Sequence, residues 1–441
     1  MTHHPNRRPT TSPNRRSVLA GGAALAGASV VASCASDPGA PERAPATRGM
    51  SFTPIADDEG IRIGVIGTGG MGTAHCRAII SLAKAGRENV QIVAVADVAQ
   101  PRAEDAAKIC STEQGITVDT YSDYTELLAR EDIHGVLIAS PEHWHCKMAS
   151  DAIMAGKDVY VEKPMTRELD EAFALMDVVQ ANEQVLQVGT QKIMIPKYRE
   201  AQKLIAAGGI GKPVSSQTSY CRNTPDGEWN YYGIDERVQP GSTLDWDAWC
   251  GPLGLTDWNP LVYWRWRRYR KYSTGVIGDL LVHVMTPLMY ALDSGWPTVV
   301  SGVGGHYVDK VMENHDQVNL TVQFETEHTM VVAGSTCNSY GLENLIRGNH
   351  ANMFLAGNNV KVVPERAFID DVEPQEIQCG GVSDQDELRL NWLSCMRTRE
   401  ETASPVQLGA KVMVAVDLAS RSMWDGKTYA FDPATKSASA L

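Results

Sequence analysis

Two residues at helical spacing, Asp279 and His283, could form a pair that transfers a proton. They lie in the segment YSTGVIGDLLVHVMTPLMYALD (272–293), whose pattern predicts a helix, and side chains four residues apart share one face of a helix. An imidazole titrates near neutral pH and can take the proton of a hydroxyl group, while a neighbouring carboxylate stabilises the imidazolium. The competing interpretation is structural: the two residues could form a surface pair, or the histidine could be hydrogen-bonded in the core.

A second candidate site is the glycine pattern GTGGMG, which follows the apolar run IRIGVI and opens a helical pattern. In this context Gly67 permits a tight turn, Gly69 lets the backbone approach a pyrophosphate, and Gly72 lets the helix pack close to the strand. The amide groups at the helix start then face the phosphates. The residues predicted to contact a dinucleotide in this loop are Gly67, Gly69, Gly70, Met71 and Gly72.

The next strand pattern, VQIVAVAD at 90–97, ends in an acid. Asp97 lies 25 residues after Gly72, where a carboxylate can bind both hydroxyl groups of a ribose. The same charge would repel a 2′-phosphate, and no arginine stands at Val98 or Ala99, so the sequence predicts NAD rather than NADP. A turn residue that closes the strand is the competing interpretation of Asp97.

Strand and helix patterns alternate as far as the segment EQVLQVGTQ at 183–191. Such alternation predicts a parallel sheet that is covered on both faces, with ligands bound at the carboxyl ends of its strands. The tripeptides ASP at 139–141 and EKP at 162–164 occupy two of those ends. After residue 210 the pattern changes, and VNLTVQFETEHTMVVAGST (318–336) alternates with period two and turns at TEH, as a hairpin does.

The segments GVIGTGGMG, IASPEHWHCKMASDAIMAGKDVYVEKPMT and GDLLVH together resemble the glucose–fructose oxidoreductase and inositol dehydrogenase family, often written Gfo/Idh/MocA. The match runs in order over residues 60–435, and LDWDAWCGP (244–252) resembles the exported branch of that family. The resemblance implies an α/β fold with an N-terminal Rossmann domain, a doubly wound parallel sheet, and a C-terminal α/β domain with an open, mostly antiparallel sheet. That second sheet often serves in oligomerisation, so we expect a homo-oligomer.

The resemblance also assigns domains and roles. It implies an NAD-binding domain over 57–192 and a substrate and oligomerisation domain over 193–441, whose C-terminal helices return to the first domain. The family places a lysine, an aspartate and a histidine at the nicotinamide, and Lys163, Asp279 and His283 match those positions. His283 would then serve as base, Asp279 would stabilise it or position the sugar, and Lys163 would hydrogen-bond the alcohol oxygen. Further cofactor contacts are implied for Ser140, Pro141, His145, Glu162 and Lys163.

Three other stretches carry chemically active residues. HWH at 143–145 suggests metal ligands, but its context matches a helix-start motif of the family, so we predict that His145 contacts the nicotinamide or substrate side and that no metal is bound. WNYYG (229–233) and WNPLVYWRWRRYRKY (258–272) could shape a sugar pocket or could equally be interface or packing segments. The candidate substrate residues in them are Trp229, Tyr231, Arg265 and Arg267.

The beginning of the chain resembles a twin-arginine export signal. Arg15 and Arg16 precede an uncharged apolar run from Val18 to Ala32. That run is too short and too weakly apolar for a comfortable membrane span. The twin-arginine route carries folded proteins, so the pattern predicts export after folding.

Processing of this signal has two interpretations. VASC at 31–34 resembles a lipoprotein site with Cys34 as the lipidated residue, whereas ordinary cleavage after Ala35 is the alternative. We therefore predict a signal over 1–35 and a flexible linker over 36–56. The expected location is the periplasm or the cell envelope, with the membrane contacted only through the signal or a lipid anchor.

Charge excludes one class of partner. The chain holds 40 basic and 53 acidic residues, and removal of the leader, with its four arginines and no acids, leaves 36 against 53, a net charge of −17. A chain this acidic binds nucleic acid poorly, so no nucleic-acid partner is predicted. A carbohydrate or glycoside is the expected substrate.

Export of a folded enzyme constrains the reaction. Nicotinamide cofactors are made in the cytoplasm, so an exported enzyme must carry its NAD and reoxidise it in place. Two redox-neutral schemes meet this condition: oxidation, elimination and reduction of one glycoside, or oxidation of one sugar coupled to reduction of another carbonyl compound. The alternatives are an ordinary sugar or polyol dehydrogenase with exchangeable NAD, and a non-catalytic sugar-binding relative.

Overall fold

The structure is a computed structural model that describes residues 55–56 and 58–441. The predicted signal over 1–35 and most of the predicted linker over 36–56 lie outside the described residues. Within the described part of the chain, no helix has both the length and the apolar character needed to span a membrane.

The first sheet consists of six parallel strands. They are β1 (Ile61–Ile66), β2 (Val90–Ala96), β3 (Asp119–Tyr121), β4 (Gly135–Ile138), β5 (Asp158–Val161) and β6 (Leu186–Val188). Their order across the sheet is β3-β2-β1-β4-β5-β6, so the winding direction reverses between β1 and β4. A ligand crevice forms at such a reversal, outside the carboxyl ends of the strands.

Five helices connect these strands. They are α1 (Gly70–Lys84), α2 (Gln100–Gln114), α3 (Tyr124–Leu128), α4 (His145–Met154) and α5 (Leu169–Gln180). Every residue of β4 and β5 is buried, as expected for central parallel strands that are covered on both faces. The predicted Rossmann arrangement is confirmed.

The second sheet has ten strands. They are β7 (Pro213–Cys221), β8 (Pro297–Gly305), β9 (Gln317–Phe324), β10 (His328–Ser335), β11 (Leu345–Gly348), β12 (Ala351–Phe354), β13 (Asn359–Pro364), β14 (Gln375–Gln378), β15 (Tyr429–Asp432) and β16 (Ser437–Ala440). The order is β14-β13-β12-β11-β7-β10-β9-β8-β15-β16, and only β7 and β10 pair in parallel within it. The predicted open, mostly antiparallel sheet is therefore also confirmed.

The predicted hairpin is formed by β9 and β10, with Phe324 paired to His328. Burial alternates residue by residue along β9, which is typical of a strand with one packed face and one solvent-facing side. The remaining helices are α6 (Pro196–Ala206), α7 (Trp246–Cys250), α8 (Pro260–Trp264), α9 (Val282–Leu292), α10 (Asp384–Thr398) and α11 (Val406–Asp425).

The last two helices contact the first sheet. The Trp392 ring on α10 lies edge-on to Tyr160 of β5, with ring centroids 5.7 Å apart. Arg399, at the end of α10, donates to Asp158 at the start of β5. These contacts hold the amino end of β5, and so support the loop that follows its carboxyl end.

Candidate active site

A cavity of about 630 Å³ opens at the carboxyl ends of β1, β2, β4 and β5. The chain segments that follow these four strands form one wall, and residues from β7 onward form the other. Of the residues predicted from the sequence, those that line the cavity are Gly67, Gly69, Gly70, Met71, Asp97, Ser140, Pro141, His145, Glu162, Lys163, Trp229, Tyr231, Arg267, Asp279 and His283.

The glycine loop between β1 and α1 has no room for a side chain at two positions. Gly67 has a φ of 85°, and a Cβ there would lie 2.5 Å from the backbone nitrogen of Ser140. A Cβ on Gly72 would lie 1.9 Å from the carbonyl oxygen of Gly67, so Gly72 packs beneath the loop rather than lining the cavity. Gly70 and Met71 begin α1 at the cavity wall, and the first amides of a helix lack partners within it. This cradle fits the pyrophosphate of a dinucleotide.

Asp97 is held at the end of β2 by its neighbours. One carboxylate oxygen accepts from the backbone nitrogen of Thr68 at 2.8 Å and from its hydroxyl at 3.2 Å. The other accepts from the backbone nitrogen of Ala99 at 2.9 Å. A carboxylate oxygen can accept more than one hydrogen bond, so Asp97 can still receive the hydroxyls of a ribose.

Arg102 on α2 is a cavity residue that the sequence analysis missed. Its guanidinium lies 4.3 Å from the ring centroid of Trp264 and 5.0 Å from that of Tyr263. The prediction of NAD rested on Val98 and Ala99 alone, whereas Arg102, in the first turn of α2, lies at the same wall. The cavity therefore carries a cation as well as a carboxylate near the β2 end.

Lys163 and Asp279 meet at the other end of the cavity. The Lys163 Nζ donates to Asp279 Oδ1 at 2.7 Å and to the Asp279 carbonyl oxygen at 3.0 Å. The Arg267 Nε donates to the same Oδ1 at 2.9 Å. Burial opposes ionisation of Asp279, but the charges of Lys163 and Arg267 outweigh it and hold the pKa of this carboxyl well below its usual range. Asp279 is therefore an anion between two cations.

Asp279 lies in a π-helical turn, Ile277–Leu281, rather than in the regular helix predicted. Close packing accompanies this irregularity: a Cβ on Gly278 would lie 1.8 Å from Thr274 Oγ1 and 3.4 Å from Pro164 Cγ. π-Helical turns recur at functional sites. Asp279 and His283 still line one cavity, so their predicted proximity is found with a different backbone geometry.

His283 is partly buried at the cavity wall, and its imidazole is neutral. Burial, together with the charge of Lys163, lowers the pKa of its imidazole to about 3. Its Nδ1 is buried and has no hydrogen-bond partner among the residues that the structure describes. A neutral imidazole has a lone pair that can accept a proton.

His145 lines the cavity, and its ring nitrogens contact the protein backbone. The ring is buried, and its Nδ1 and Nε2 lie 2.7 Å and 2.9 Å from the carbonyl oxygens of Pro164 and Ser140. These contacts link the segments that follow β4 and β5, so the ring's polar atoms face the backbone rather than a ligand. The Ser140 hydroxyl, by contrast, is buried, lines the cavity and lacks a partner among the described residues, which leaves it available to a cofactor.

The four candidate substrate residues separate into two groups. Trp229, Tyr231 and Arg267 line the cavity, with Trp229 buried and Tyr231 54% exposed at the cavity mouth. Arg265 is not among the lining residues, because its guanidinium donates to the Asn230 side chain and to the Tyr232 carbonyl. It orders the neighbouring loop instead. Cavity residues that the sequence analysis did not select include Gln191, Arg222, Tyr232, Trp264 and Trp266.

Residues 238–272, which we name the aromatic strap, both pack and line the cavity. Trp246, Trp249, Tyr263 and Tyr272 form a buried cluster with Ala99 of the first sheet's connections. Backbone hydrogen bonds join the strap to the segment after β2: Gln100 N to Thr243 O at 2.8 Å, and Asp245 N to Val98 O at 3.0 Å.

The HWH segment also anchors the strap. The His143 Nε2 and the Trp144 Nε1 lie 2.9 Å and 3.0 Å from the carbonyl oxygen of Trp249. No group of three or more metal-ligating side chains occurs among the described residues. The strap therefore has several contacts to the dinucleotide half of the cavity.

Comparisons with known proteins agree with this geometry. Residues 61–190 match a family model described as an oxidoreductase family with an NAD-binding Rossmann fold, GFO_IDH_MocA. Residues 194–439 match the model of the C-terminal alpha/beta domain of that oxidoreductase family. The chain belongs to the Gfo/Idh/MocA family. Its first sheet is thus part of an NAD-binding Rossmann domain, and the predicted family is confirmed.

Curated relatives of this Gfo/Idh/MocA protein include inositol dehydrogenases. Inositol 2-dehydrogenase 3 of Saccharopolyspora erythraea is 32% identical over 190 residues, which is 42% of this chain and 53% of that protein. The scyllo-inositol 2-dehydrogenase (NAD(+)) of Bacillus subtilis is 32% identical over 154 residues, 35% of this chain and 42% of that protein. The matched parts thus span about half the length of these relatives.

Solved structures share the fold. A levoglucosan dehydrogenase in complex with NADH and L-sorbose superposes with a TM-score of 0.65 at 19% identity, over 87% of this chain and 99% of that chain. UDP-N-acetylglucosamine 3-dehydrogenase from Acidithiobacillus ferrooxidans gives a TM-score of 0.58 at 19% identity, over 82% and 97%. These likenesses extend across both sheets of the Gfo/Idh/MocA fold.

One further cluster in this Gfo/Idh/MocA chain lies behind the cavity and holds Glu162. Its carboxylate contacts His75 Nε2 at 2.9 Å and accepts from the Lys163 backbone nitrogen at 3.1 Å. The Arg389 Nε donates to His75 Nδ1 at 2.9 Å, so Nε2 carries the ring proton and donates to Glu162. Burial lowers the pKa of His75, so the ring is neutral. Glu162 thus lines the cavity while its carboxylate holds the Lys163 backbone.

Proposed function

We propose that the protein is an NAD-dependent enzyme that acts on a hydroxyl group of a sugar or glycoside, retains its NAD, and catalyses a reaction that is redox-neutral overall. The observation that carries the proposal is the aromatic strap across the dinucleotide half of the cavity. Trp249, Tyr263 and Trp264 of the strap line the same cavity as Gly69 and Asp97. A cofactor in the glycine cradle would contact these side chains, and each such contact would slow its release.

The reacting end of the cavity can support alcohol oxidation. When bound, NAD would accept a hydride from the sugar carbon and later return it. The ammonium group of Lys163 lies beside Asp279 at the cavity wall. There it can hydrogen-bond an alcohol oxygen and stabilise the developing alkoxide. A pKa of about 3 makes His283 a weak base, unlike the near-neutral imidazole expected from the sequence. Transfer of the hydroxyl proton to it therefore depends on the carboxylate of Asp279, whose charge raises this pKa and stabilises the imidazolium.

Two reaction sequences preserve the redox balance. In the first, a sugar hydroxyl becomes a ketone, the adjacent acidified proton is removed, a glycosidic group is eliminated, water adds, and the ketone is reduced again. In the second, one sugar is oxidised and a different carbonyl compound is reduced. An ordinary dehydrogenase with exchangeable NAD is the competing function, and the dehydrogenase names of the relatives favour it.

An assay without free nicotinamide separates these functions. The protein is purified with the cofactor it retains, given one glycoside from a panel of methyl and aryl glycosides, and followed for many equivalents of product. Sustained release supports oxidation, elimination and reduction, and release only after addition of a second sugar supports coupled oxidation. A single equivalent of oxidised sugar under both conditions, with turnover restored by free NAD, would reject redox neutrality and favour an ordinary dehydrogenase.

We further propose a preference for NAD over NADP, set by Asp97. Replacing Asp97 with alanine should weaken NAD binding about tenfold to a hundredfold, since hydrogen bonds to a charged group contribute about 1.5–3 kcal/mol. The same change should improve NADP relative to NAD, because Arg102 would then be the nearest charged group to a 2′-phosphate. Isothermal titration of the protein stripped of its cofactor measures both affinities.

The double variant Asp97→Ala/Arg102→Ala is the control for this preference. It should lose the gain in NADP binding while keeping the loss in NAD binding. Equal affinity of the wild type for the two dinucleotides would contradict the assigned role of Asp97.

We also propose that residues 1–35 direct export by the twin-arginine route. The support is the order of Arg15 and Arg16 before an apolar run. Retention of a cofactor made in the cytoplasm, as proposed above, would require export of the folded protein. Replacing both arginines with lysine should leave the chain in the cytoplasmic fraction, whereas Cys34→Ala should abolish only membrane attachment if the chain is lipidated. Unchanged fractionation of the double lysine variant would contradict this route.

A further inference from the structure

Glu142 is a fully buried acid that no sequence motif singled out. It begins the one-turn helix Glu142–Trp144, directly after the cavity residues Ser140 and Pro141, and its side chain is 0% exposed. Oε1 accepts from the backbone nitrogen of Thr274 at 2.9 Å, and Oε2 accepts from the Thr274 hydroxyl at 2.9 Å. Both oxygens of this buried carboxyl group thus accept a hydrogen bond from Thr274, which lies 132 positions further along the chain.

Thr274 stands immediately before the helical segment that carries Asp279. The space beside it is filled: the Thr274 hydroxyl lies where a Cβ on Gly278 would be, and Pro164 packs against the same point. Gly278 directly precedes Asp279, and the Lys163 Nζ contacts both the carbonyl oxygen and a carboxylate oxygen of Asp279. The contact between Lys163 and Asp279 therefore depends on the backbone position of the π-helical turn, which abuts Thr274.

We propose that Glu142 is a positioning residue: by fixing Thr274, it sets the position of the π-helical turn so that Asp279 meets Lys163. Because Glu142 is not among the residues that line the cavity, it acts through the residues that it holds, and of these Thr274 abuts the π-helical turn. The kinetic part of this inference rests on the proposed function, whereas the geometric part does not. A displacement of about 1 Å at a reacting group can reduce a rate about a hundredfold.

The pKa of Glu142 allows its effect on the active-site geometry to be distinguished from an effect on the free energy of unfolding. Burial is the largest influence on its pKa and raises it, and the charge of Asp279 acts in the same direction. The hydrogen bonds from Ser273 and Thr274 and the charge of Arg167 lower it. The net pKa is about 7. Since the folded pKa lies above the usual 4.5, the free energy gained by holding the proton is present at low pH and is lost as the pH rises through about 7. Removing this charge should therefore not destabilise the protein above pH 7.

The test compares Glu142→Gln and Thr274→Val with Thr274→Ser, which keeps the hydroxyl. In the first two variants we expect kcat to fall about tenfold to a hundredfold, while KM and the amount of retained NAD stay within about twofold of wild type. Thr274→Ser should keep the wild-type kcat. The sugar is whichever member of a panel of D-glucose, myo-inositol and methyl glucosides is oxidised by the wild type. Glu142→Gln should also remove an acid limb near pH 7 from the kcat profile.

A matched control is Asp316, which is also 0% exposed and accepts from the backbone nitrogens of Tyr307, Val308 and Asp309 at 2.7–2.8 Å. Asp316→Asn should lower the free energy of unfolding without changing kcat. Crystal structures of the wild type and Glu142→Gln give a readout that needs no substrate: the distance from Lys163 Nζ to Asp279 Oδ1 should lengthen in the variant. If no sugar in the panel is oxidised, the proposed function fails and this distance alone decides the inference.

Three results would overturn the role of Glu142. The first is an unchanged distance from Lys163 to Asp279 in Glu142→Gln. The second is an unchanged kcat and pH profile. The third is a loss of stability above pH 7 in proportion to the loss of kcat, as in a merely structural anchor.

Discussion

Replacing Lys163 with methionine is expected to slow hydride transfer by about 10²- to 10³-fold while the protein stays folded with its cofactor bound. The change removes the cation beside the forming alkoxide, and loss of one such donor typically reduces kcat by this factor. Methionine keeps an unbranched stem of similar length, and Asp279 retains Arg267 as a partner at 2.9 Å. A single-turnover measurement of reduced nicotinamide absorbance reports the step directly.

The control for this prediction is Asp279→Asn, which keeps the shape of the side chain and removes its charge. It should also slow the reaction, because Lys163 loses the anion that holds it, yet it should leave Lys163 able to donate to the alcohol. Its effect should therefore be smaller than that of Lys163→Met. Hydride transfer at the wild-type rate in Lys163→Met would contradict the assignment of Lys163 to the reacting oxygen.

The dinucleotide half of this site was predictable because its signals are local. The glycine spacing, the strand before it and the acid that ends the next strand all lie within 37 residues, between Ile61 and Asp97. Gly67 and Gly72 are explained by close backbone contacts, the first with the loop after β4 and the second with Gly67 itself. Local backbone geometry of this kind can be predicted from the sequence, because glycine is the residue type that it requires.

The half of the site that holds Lys163 and Asp279 could be predicted only from the family resemblance. The buried residues that hold these side chains in place were not predicted. Lys163 and Asp279 are 116 residues apart, and no local pattern indicates that they meet. Arg389 illustrates the reason: in DELRLNWLSC it has the neighbours of a surface helix residue, but it is 2% exposed and donates to His75. Burial of a charged side chain can be predicted only when its hydrogen-bonding or ion-pair partner is known.

The π-helical turn was not predicted, and the role of the aromatic strap was left open, for a related reason. Hydrophobic periodicity predicts a helix over 272–293, with a bend at Pro287, and carries no signal for one extra residue in the turn at Ile277–Leu281. For the part of the strap at 258–272, the sequence left a sugar pocket and an interface or packing segment as equal alternatives. The structure combines pocket and packing, because Tyr263 packs against Trp249 with ring centroids 5.7 Å apart and also lines the cavity.

Replacing Glu162 with alanine is expected to lower the free energy of unfolding by about 3 kcal/mol or more. The variant leaves the buried His75 Nε2 and the partly buried Lys163 backbone nitrogen without their acceptor, and each unsatisfied buried donor costs about 1–3 kcal/mol. Urea unfolding of the purified protein at pH 7 measures the loss. Glu113→Ala is the matched surface control: Glu113 pairs with Arg77 and Lys84 at the surface, so its loss should cost about 1 kcal/mol or less.

The pH dependence of this loss tests its electrostatic origin. Burial opposes ionisation of Glu162, but the hydrogen bond from His75 and the charge of Lys163 outweigh it and lower the pKa of the carboxyl to about 2, below the usual 4.5. A depressed folded pKa stabilises the protein fully above pH 4.5 and progressively less as the pH falls toward 2. The difference between wild type and Glu162→Ala should therefore be constant from pH 8 to pH 5 and shrink below pH 4.5. A difference that instead grew with falling pH would mean that Glu162 is held in its protonated form, and that the Lys163 backbone is fixed by packing rather than by this carboxylate.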